Sequence, residues 1–205
     1  MQLKTVKSPF PDGLIFASGN RGKFSEVAAL FSPLGIDIIF GPERASLEIE
    51  EDGSSYPANA LLKARAWALE TGLPALADDS GVEIRALGWK PGIHSARMGK
   101  TDEERVKWLL EALEGKKDRQ ARYVASFALY FPCTQICFIT EGECPGIISL
   151  TPLGTEGFGY DPVFIPEGFN ETFGQIPGEI KRKISHRTIA GLRMLNILSA
   201  GFVIE

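Results

Sequence analysis

The sequence predicts an α/β protein built on a mixed β-sheet, and two patterns carry this prediction. Near the start, an apolar run of strand length at residues 14–17 precedes a polar turn and then apolar residues at helical spacing. Further on, apolar side chains recur at every second position from residue 121 to residue 131, which is typical of a long strand. One strand–helix unit together with several strand-like runs favours helices packed on a mixed sheet.

The first half of the chain contains three further predicted elements. Residues 36–40 suggest a second strand after the first helix, which Pro33 and Gly35 end. A helix is predicted over residues 57–71, because proline is favourable in a first helical turn. Residues 74–77 are predicted to form a strand with residues 78–81 at its end, and residues 82–87 suggest a continuing strand or a hairpin.

The second half is predicted from capping signals and short apolar runs. Residues 101–104 match a capping box at the start of a helix that Gly115 ends. Two short strands are expected before Pro152. Ser185 is a good N-cap for a last helix that runs to about residue 200.

Composition restricts the classes of function. The 205 residues are 44% hydrophobic and 23% charged, which suits one domain over residues 1–205, with residues 1–13 as an N-terminal extension. The formal net charge of −4 disfavours non-specific binding to nucleic-acid polymers or to membranes, and no apolar run reaches the length of a membrane span. Cys133, Cys137 and Cys144 form no CxxC pair, so we expect buried, reduced thiols in a cytoplasmic protein.

Residues 18–23 form a polar turn between the first strand and the first helix. The N–H groups and the dipole at a helix start favour phosphate, while Lys23 adds a cation and Ser18 and Asn20 add donors. The spacing is not that of a Walker A loop. An ordinary capped turn explains this segment alone equally well.

Asp78 and Asp79 are adjacent carboxylates and are expected to repel each other. A divalent cation removes that repulsion, and Mg²⁺ favours one or two carboxylates with waters and phosphate oxygens. A solvated acidic turn is the alternative. The acidic run at residues 50–53 and the helical Lys63 have functional interpretations as a metal carboxylate and a phosphate-binding cation, although a solvated loop and a polar stripe explain them better in isolation.

Two later segments have the composition of a nucleoside site. Residues 154–162 combine three glycines with two aromatic residues, which allows close backbone approach and stacking on a base, although glycine-rich turns between strands are common. Residues 181–187 form the densest basic cluster of the chain, and cations at a helix start oppose the helix dipole. Neither His94 nor His186 lies in a pattern typical of a hydrolytic triad.

Taken together, these motifs resemble the inosine-triphosphate pyrophosphatase family, whose members hydrolyse dITP, ITP and XTP. The resemblance covers residue 14 to about residue 198. It rests on five blocks in order, SGNRGKFSEV, EEDGSSYPANALLKA, ADDSGVEIRALGWKPGIHSAR, GTEGFGYDPVFIP and KISHRTIA. Each block is weak alone, but the ordered set is specific.

The resemblance implies a long, twisted mixed β-sheet flanked by helices, with two lobes and a central nucleotide cleft. It also implies Mg²⁺ as cofactor, a purine nucleoside triphosphate as substrate, and a homodimer. Asp79 would be general base and metal ligand, with Glu51 as the second metal ligand and Glu50 as a rival; the role of Asp78 stays open. The substrate-binding residues carried over by the resemblance are Ser18, Gly19, Asn20, Arg21, Gly22, Lys23, Lys63, Ser80, Phe158, Gly159, Tyr160, Asp161, Lys181, His186 and Arg187.

The resemblance also implies a mechanism. Asp79 would activate a water that attacks the α-phosphorus, releasing a nucleoside monophosphate and pyrophosphate. Arg187 would donate to the purine 6-oxo group, so that the 6-amino group of adenine would be rejected. Trp89, Met98 and Thr188 depart from the family pattern, where glycine, an aromatic residue and glycine are more usual.

Overall fold

The structure is a computed structural model that describes residues 10, 12–32 and 35–200. The five helices in these ranges are α1 Arg21–Phe31, α2 Tyr56–Thr71, α3 Asp102–Ala112, α4 Gly178–Ile184 and α5 His186–Ser199. The seven strands are β1 Leu14–Phe16, β2 Ile38–Phe40, β3 Ala75–Ile84, β4 Lys90–Pro91, β5 Gln120–Tyr130, β6 Cys137–Ile148 and β7 Phe164–Pro166. None of these helices is long and apolar enough to cross a bilayer.

The strands form one mixed sheet in the order β2-β1-β3-β5-β6-β7, with β4 paired to β3. β1 pairs in parallel with β2 and with β3, and the other pairs are antiparallel. This confirms the predicted α/β class with a mixed sheet. β1 stops at Phe16, opposite Leu76, whereas β3 continues to Ile84. The middle of β3 therefore has a free edge beyond the end of β1, and the cleft opens there.

Two predictions for the strands are wrong. Residues 78–81 do not follow a strand but lie within β3, since β3 keeps an unbroken antiparallel register with β5 through all four of them. The two short strands expected before Pro152 are the single twelve-residue strand β6. Its exposed positions alternate with buried ones along most of its length, as in a sheet covered on one face only.

The caps predicted at Thr101 and Ser185 are confirmed, and Ser55 caps α2, for which only a helix from residue 57 was predicted. Ser55, Thr101 and Ser185 each accept a hydrogen bond from the backbone N–H three residues ahead. Gly72 ends α2 with a left-handed backbone at φ +70°. The end predicted for α1 at Pro33 lies outside the described residues. Most of the predicted N-terminal extension, residues 1–13, also lies outside them.

Three apolar clusters hold the helices on the sheet. One packs α1 and α5 on the face of β5 that carries Phe127, a second packs α2 on the opposite face, and a third packs α3 near β7. The expectation of buried thiols is wrong for two cysteines: Cys144 is buried, but Cys133 and Cys137 are exposed at the β5–β6 connection.

Candidate active site

The turn between β1 and α1 forms one wall of the cleft. Ser18 Oγ accepts a hydrogen bond from Asn20 N at 3.2 Å, and Asn20 Oδ1 caps α1 by accepting from Lys23 N at 3.1 Å. These two side-chain bonds fix the helix start so that its first turn faces the cleft. N–H groups in a first helical turn have no partner within the helix, and their dipoles favour an anion.

Asp78 and Asp79 point to opposite faces of β3, because side chains alternate along a strand. Asp78 contacts residues of α1 and α5, whereas Asp79 contacts residues of α2. The premise that the two carboxylates crowd each other in one turn is therefore wrong. Each has its own set of partners.

Asp78 is the buried centre of an ion network. Its Oδ2 lies 3.0 Å from Lys23 Nζ and 3.1 Å from Arg187 Nε, and it accepts a hydrogen bond from Ser80 Oγ at 3.3 Å. Burial acts to raise the pKa of Asp78, but the two cations outweigh burial and hold this pKa well below its ordinary value. Burial lowers the pKa of Lys23, and the nearby Asp78 carboxylate partly opposes that shift. Asp78 is thus an ionised anchor for two cations.

Asp79 lies at the bottom of the cleft with two donors from α2. Asn59 Nδ2 donates to its Oδ2 at 3.1 Å, and Lys63 Nζ lies 3.4 Å from its Oδ1. Burial raises the pKa of Asp79 despite the opposing effect of the Lys63 ammonium. A carboxylate with a raised pKa is a better proton acceptor than an ordinary aspartate.

The acidic loop before α2 brings Glu51 to the same place. Lys63 Nζ lies 3.0 Å from Glu51 Oε1, Arg97 donates to the Glu51 carbonyl oxygen at 2.5 Å, and Asn59 Oδ1 accepts from Gly53 N at 2.8 Å. Glu50 is exposed and does not line the pocket that Glu51 and Asp79 line. The geometry thus favours Glu51 over Glu50 as the partner of Asp79.

These groups line a first pocket of about 460 Å³. Two carboxylates and two lysines are present in it, and the start of α1 forms its edge. The predicted site residues that line this pocket are Ser18, Gly19, Asn20, Lys23, Glu51, Lys63, Asp79 and Ser80. A pocket with both signs of charge and a helix start suits a polyphosphate with its counter-ion.

The donor set fits a hard divalent cation. Glu51 and Asp79 would supply oxygen ligands, since Mg²⁺ is commonly held by one or two carboxylates with waters and substrate phosphates completing its shell. Among the described residues, no cluster of three or more His, Cys, Asp or Glu side chains is placed to hold a metal. The protein itself therefore offers two carboxylates rather than a complete cage.

A second pocket of about 110 Å³ adjoins the first. Asn20, Lys23, Ser80 and Ala96 line both, so the two pockets are halves of one cleft. Aromatic rings and cations line the second half. They include Tyr123, Phe158, Tyr160, Lys181, His186 and Arg187.

Carboxylates hold the cations of this second half. Lys181 Nζ lies 2.9 Å from Glu26 Oε1 and 2.6 Å from Asp161 Oδ2. The Arg187 guanidinium donates from all three nitrogens, to Asp78, to Glu26 and to Ser80. A guanidinium has five N–H donors, so two remain beyond these bonds.

The basic cluster differs from its predicted arrangement. Lys181 lies in the last turn of the short helix α4, where cations are favourable, and only His186 and Arg187 begin α5. The inferred conflict with a helix dipole is therefore wrong for the lysines. Buried carboxylates, rather than a dipole, account for the position of the cluster.

His186 is buried and stacks on Tyr123, with ring centroids 4.6 Å apart and an 8° angle between the planes. Burial lowers the pKa of His186 well below its ordinary value, and the nearby Arg187 and Lys181 cations add to this effect. The imidazole is therefore neutral at pH 7. Within the described ranges its buried Nδ1 has no hydrogen-bond partner, which leaves a polar atom available to a ligand.

The glycine-rich loop closes the second pocket. Asp161 Oδ2 accepts from Phe158 N at 2.8 Å, Asp102 Oδ2 accepts from Gly159 N at 2.7 Å, and the Tyr160 hydroxyl donates to the Ser95 carbonyl at 2.8 Å. Gly159 has φ +65°, a conformation that favours glycine. These bonds tie the loop to α3 and hold the Phe158 ring near Lys181, whose Nζ is 4.7 Å from the ring centroid.

Most of the predicted substrate residues meet in this cleft, but two do not. The linings of both pockets, as far as the described chain defines them, omit Arg21 and Gly22. The Arg21 guanidinium lies over the Phe40 ring and near Glu43 instead. Gly22 packs against Phe158, since an added Cβ would lie 2.9 Å from that ring.

Four residues that contribute to the site were not predicted: Glu26, Asn59, Arg97 and Asp102. A signal existed for Asn59, because it precedes Lys63 by one helical turn on the same face of α2. Glu26 follows Lys23 by three residues on α1, but its partners are more than 150 positions away. No local pattern identifies Arg97 or Asp102.

Comparisons with known proteins agree with this arrangement. The sequence model of the Ham1 family matches residues 14–197. The chain is similar to a dITP/XTP pyrophosphatase of Synechococcus sp. (strain CC9311), with 42% identity over 174 residues that cover 85% of this chain and 84% of the relative. A dITP/XTP pyrophosphatase of Aquifex aeolicus (strain VF5) is 39% identical over 197 residues, covering 90% and 96% of the two chains.

Solved structures show the same similarity. A HAM1 protein from Coxiella burnetii superimposes with a TM-score of 0.84 at 39% identity, covering 92% of this chain and 99% of the other. The Staphylococcus aureus Ham1 protein gives a TM-score of 0.82 at 33% identity, with the same coverage of 92% and 99%. Sequence, fold and cleft therefore lead to one conclusion: the chain belongs to the Ham1 family.

Proposed function

We propose that this chain hydrolyses the non-canonical purine nucleoside triphosphates dITP, ITP and XTP to the nucleoside monophosphate and pyrophosphate. One observation carries the proposal: Glu51, Asp79, Lys23 and Lys63 line one pocket that continues into a second pocket of aromatic rings and cations. The names of the Synechococcus and Aquifex relatives, dITP/XTP pyrophosphatase, support the same activity.

The first pocket binds the triphosphate. Lys23 and Lys63 neutralise phosphate oxygens, and N–H groups of the first turn of α1 add donors without the side-chain entropy cost of a further lysine. Asn20 and Ser80 contribute amide and hydroxyl groups at the junction of the two pockets, and Ser18 adds a hydroxyl group in the first pocket. Arg21 and Gly22 act only indirectly in this proposal, by shaping the start of α1.

Glu51 and Asp79 would hold a Mg²⁺ ion, which when bound neutralises phosphate charge and polarises the phosphoryl oxygens. Asp79 also accepts the proton of the attacking water. Its raised pKa in the free protein and the hydrogen bond that it accepts from Asn59 support this role. Attack at the α-phosphorus breaks the α–β phosphoanhydride, so pyrophosphate is the leaving group.

The second pocket binds the nucleoside. Phe158, Tyr160 and the Tyr123–His186 stack offer faces for the sugar and base, and Asp161 and Gly159 shape the loop. The remaining N–H donors of Arg187 and the polar atoms of His186 and Lys181 would face the purine 6-oxo group. The 6-amino group of adenine would place an N–H donor opposite an N–H donor of the protein. A buried donor without an acceptor costs binding free energy, so adenine nucleotides would bind less well.

The proposal also includes a homodimer in the cytoplasm, with small-molecule triphosphates rather than nucleic-acid polymers or membranes as partners. The acidic net charge supports small-anion binding at a local site rather than broad polyanion binding. The homodimer follows from the resemblance to the inosine-triphosphate pyrophosphatase family. Sedimentation at equilibrium distinguishes a dimer from a monomer.

The test is a substrate panel with Mg²⁺ and a pyrophosphate readout. ITP, dITP, XTP, GTP and ATP are compared at equal concentration, for the native chain and for Asp79→Asn. We expect hydrolysis of ITP, dITP and XTP to exceed that of ATP, and Asp79→Asn to lose turnover while keeping its fold. Asp118→Asn is the matched control, because Asp118 pairs with Arg85 on the surface away from both pockets.

Three outcomes would contradict the proposal. Preferred hydrolysis of ATP refutes the base recognition. Full activity of Asp79→Asn refutes the catalytic assignment. Binding of ITP without release of pyrophosphate would indicate a nucleotide sensor instead.

A further inference from the structure

The Lys63 ammonium lies between the two carboxylates proposed to bind the metal. Its Nζ is 3.0 Å from Glu51 Oε1 and 3.4 Å from Asp79 Oδ1. The side chains of Lys63 and Asp79 are 11% and 7% exposed. In the part of the chain that the structure describes, Lys63 is the one cation within 4 Å of either carboxylate.

The position of the Lys63 ammonium reduces the electrostatic repulsion between Glu51 and Asp79. Two carboxylates in a partly buried pocket repel each other, and a cation between them offsets the repulsion. The Lys63 ammonium thus does for the free protein what a divalent cation does for the complex. Both cations cannot remain within contact distance of the same oxygens, because like charges at short range in a low-dielectric pocket repel strongly.

The displaced lysine has a destination only when substrate is present. Lys63 carries its charge on a flexible four-carbon stem, so its ammonium can move without movement of α2. Lys23, on the other wall of the same pocket, is already paired with Asp78. A triphosphate entering the pocket supplies anionic oxygens that accept the Lys63 ammonium as it leaves Glu51 and Asp79.

We propose that Lys63 is a resident counter-ion that competes with the divalent cation for Glu51 and Asp79, and thereby makes cation binding depend on the triphosphate. This inference rests on the proposed function, since it takes these two carboxylates as the metal ligands. Linkage requires the dependence to be reciprocal: the triphosphate tightens cation binding and the cation tightens triphosphate binding by the same factor.

The test measures Mn²⁺ binding to the protein without nucleotide, by calorimetry and by the electron paramagnetic resonance signal of free Mn²⁺. For Lys63→Met we expect Mn²⁺ to bind at least ten-fold more tightly than to the native chain. Addition of ITP with an imido group at the α–β bridge tightens Mn²⁺ binding to the native chain, and tightens it much less for the variant. Loss of packing alone would weaken binding, so the direction of the change is diagnostic.

Lys107→Met is the matched control, because Lys107 is an exposed lysine on α3 whose partner is Glu111. It removes the same unit of charge far from the pocket, and we expect no change in Mn²⁺ affinity. Lys63→Gln serves as the second variant if Lys63→Met does not fold. Unchanged or weaker Mn²⁺ binding in the folded Lys63 variants overturns the inference.

A second pair of variants separates failure of the inference from failure of the proposed function. Glu51→Gln and Asp79→Asn are each combined with Lys63→Met. If neither weakens Mn²⁺ binding, the carboxylates are not the ligands, and the metal assignment itself is wrong. If both weaken it but Lys63→Met alone binds no more tightly than the native chain, only the counter-ion inference is wrong.

Discussion

Removing the charge of Asp78 is expected to destabilise the fold strongly. Asp78→Asn keeps the shape of the side chain but leaves Lys23 and Arg187, whose side chains are only 17% and 4% exposed, without their shared carboxylate. Breaking a buried pair by removing one partner costs about 3–5 kcal/mol, because an uncompensated charge stays buried. We place the loss within this range rather than above it, since Glu26 still pairs with Arg187.

This loss is measured by urea denaturation and thermal unfolding at pH 7. A loss of about 1 kcal/mol lowers the melting temperature by roughly 2–4 °C in a domain of this size, so we expect a fall of about 6–20 °C. Lys23→Met added to Asp78→Asn should recover part of the loss, because it removes one of the two stranded cations. Asp118→Asn removes a surface carboxylate paired with Arg85 and should change stability little.

The destabilisation should depend on pH in a defined direction. The folded-state pKa of Asp78 lies below its ordinary value, so the contribution of the carboxylate is fully present above the unfolded-state pKa, near 3.9. It is lost as the pH falls through the folded-state value. The difference between the native chain and Asp78→Asn is therefore constant above about pH 5 and shrinks in stronger acid. A difference below 1 kcal/mol at pH 7, or one that does not shrink in acid, would refute this reasoning.

Two further predictions concern the walls of the cleft. Asp102→Ala removes the acceptor of the Gly159 N–H, so the loop loses its tie to α3, and we expect KM for ITP to rise about ten-fold with a smaller change in kcat, by steady-state kinetics. Gly81→Ala places a Cβ 2.2 Å from the Gly92 carbonyl oxygen, and we expect an unfolding free energy lower by about 1–3 kcal/mol in urea.

Each of these predictions has a control variant. Glu103→Ala removes a carboxylate from the same first turn of α3 but keeps the Asp102–Gly159 hydrogen bond, and an equal rise in KM there would contradict the role of Asp102. Gly178→Ala adds a methyl group whose nearest neighbour is the flexible end of Arg182, 3.4 Å away. If Gly81→Ala is as stable as Gly178→Ala, the close approach of the Gly92 carbonyl to Gly81 does not limit the free energy of unfolding.

The gap between prediction and structure is clearest at residues 78–81. The pattern Asp-Asp-Ser-Gly is typical of an acidic turn, since aspartate and glycine are uncommon in strands. The structure makes it the middle of β3, because β5 pairs with it through every residue. Pairing with a distant strand overrides local preference, and the alternation of a strand then sends the two aspartates to opposite faces.

At Gly81, too, tertiary contacts rather than local conformational preference explain the residue. Glycine there suggests a sharp turn by its local preference, but its backbone is extended within β3. What requires glycine is the approach of the segment at residues 92–98, whose Gly92 carbonyl and Ser95 hydroxyl leave no room for a Cβ. That segment follows in the chain, yet its position against β3 depends on tertiary packing.

Features that repeat locally, or that follow a fixed order along the chain, were predictable from the sequence alone. Helical spacing located α1, proline at residue 57 indicated the start of α2, the caps at Thr101 and Ser185 located two further helix starts, and alternation located β5. The ordered motifs identified the family, because several weak signals in one order are jointly specific. Hydrogen bonds over three or four residues and side-chain periodicity are local properties, so the sequence carries them directly.

The division of charge within the cleft follows from the tertiary structure. The fold pairs Asp78 with Lys23 and Arg187, and Asp79 with Asn59 and Lys63. It places Glu51 of the acidic loop, rather than Glu50, at the pocket. It also brought in Glu26, Arg97 and Asp102, which no local pattern identifies. Buried ion pairs join residues that are far apart in the chain, and their partners follow from which faces of the sheet the helices cover, a property of the whole fold.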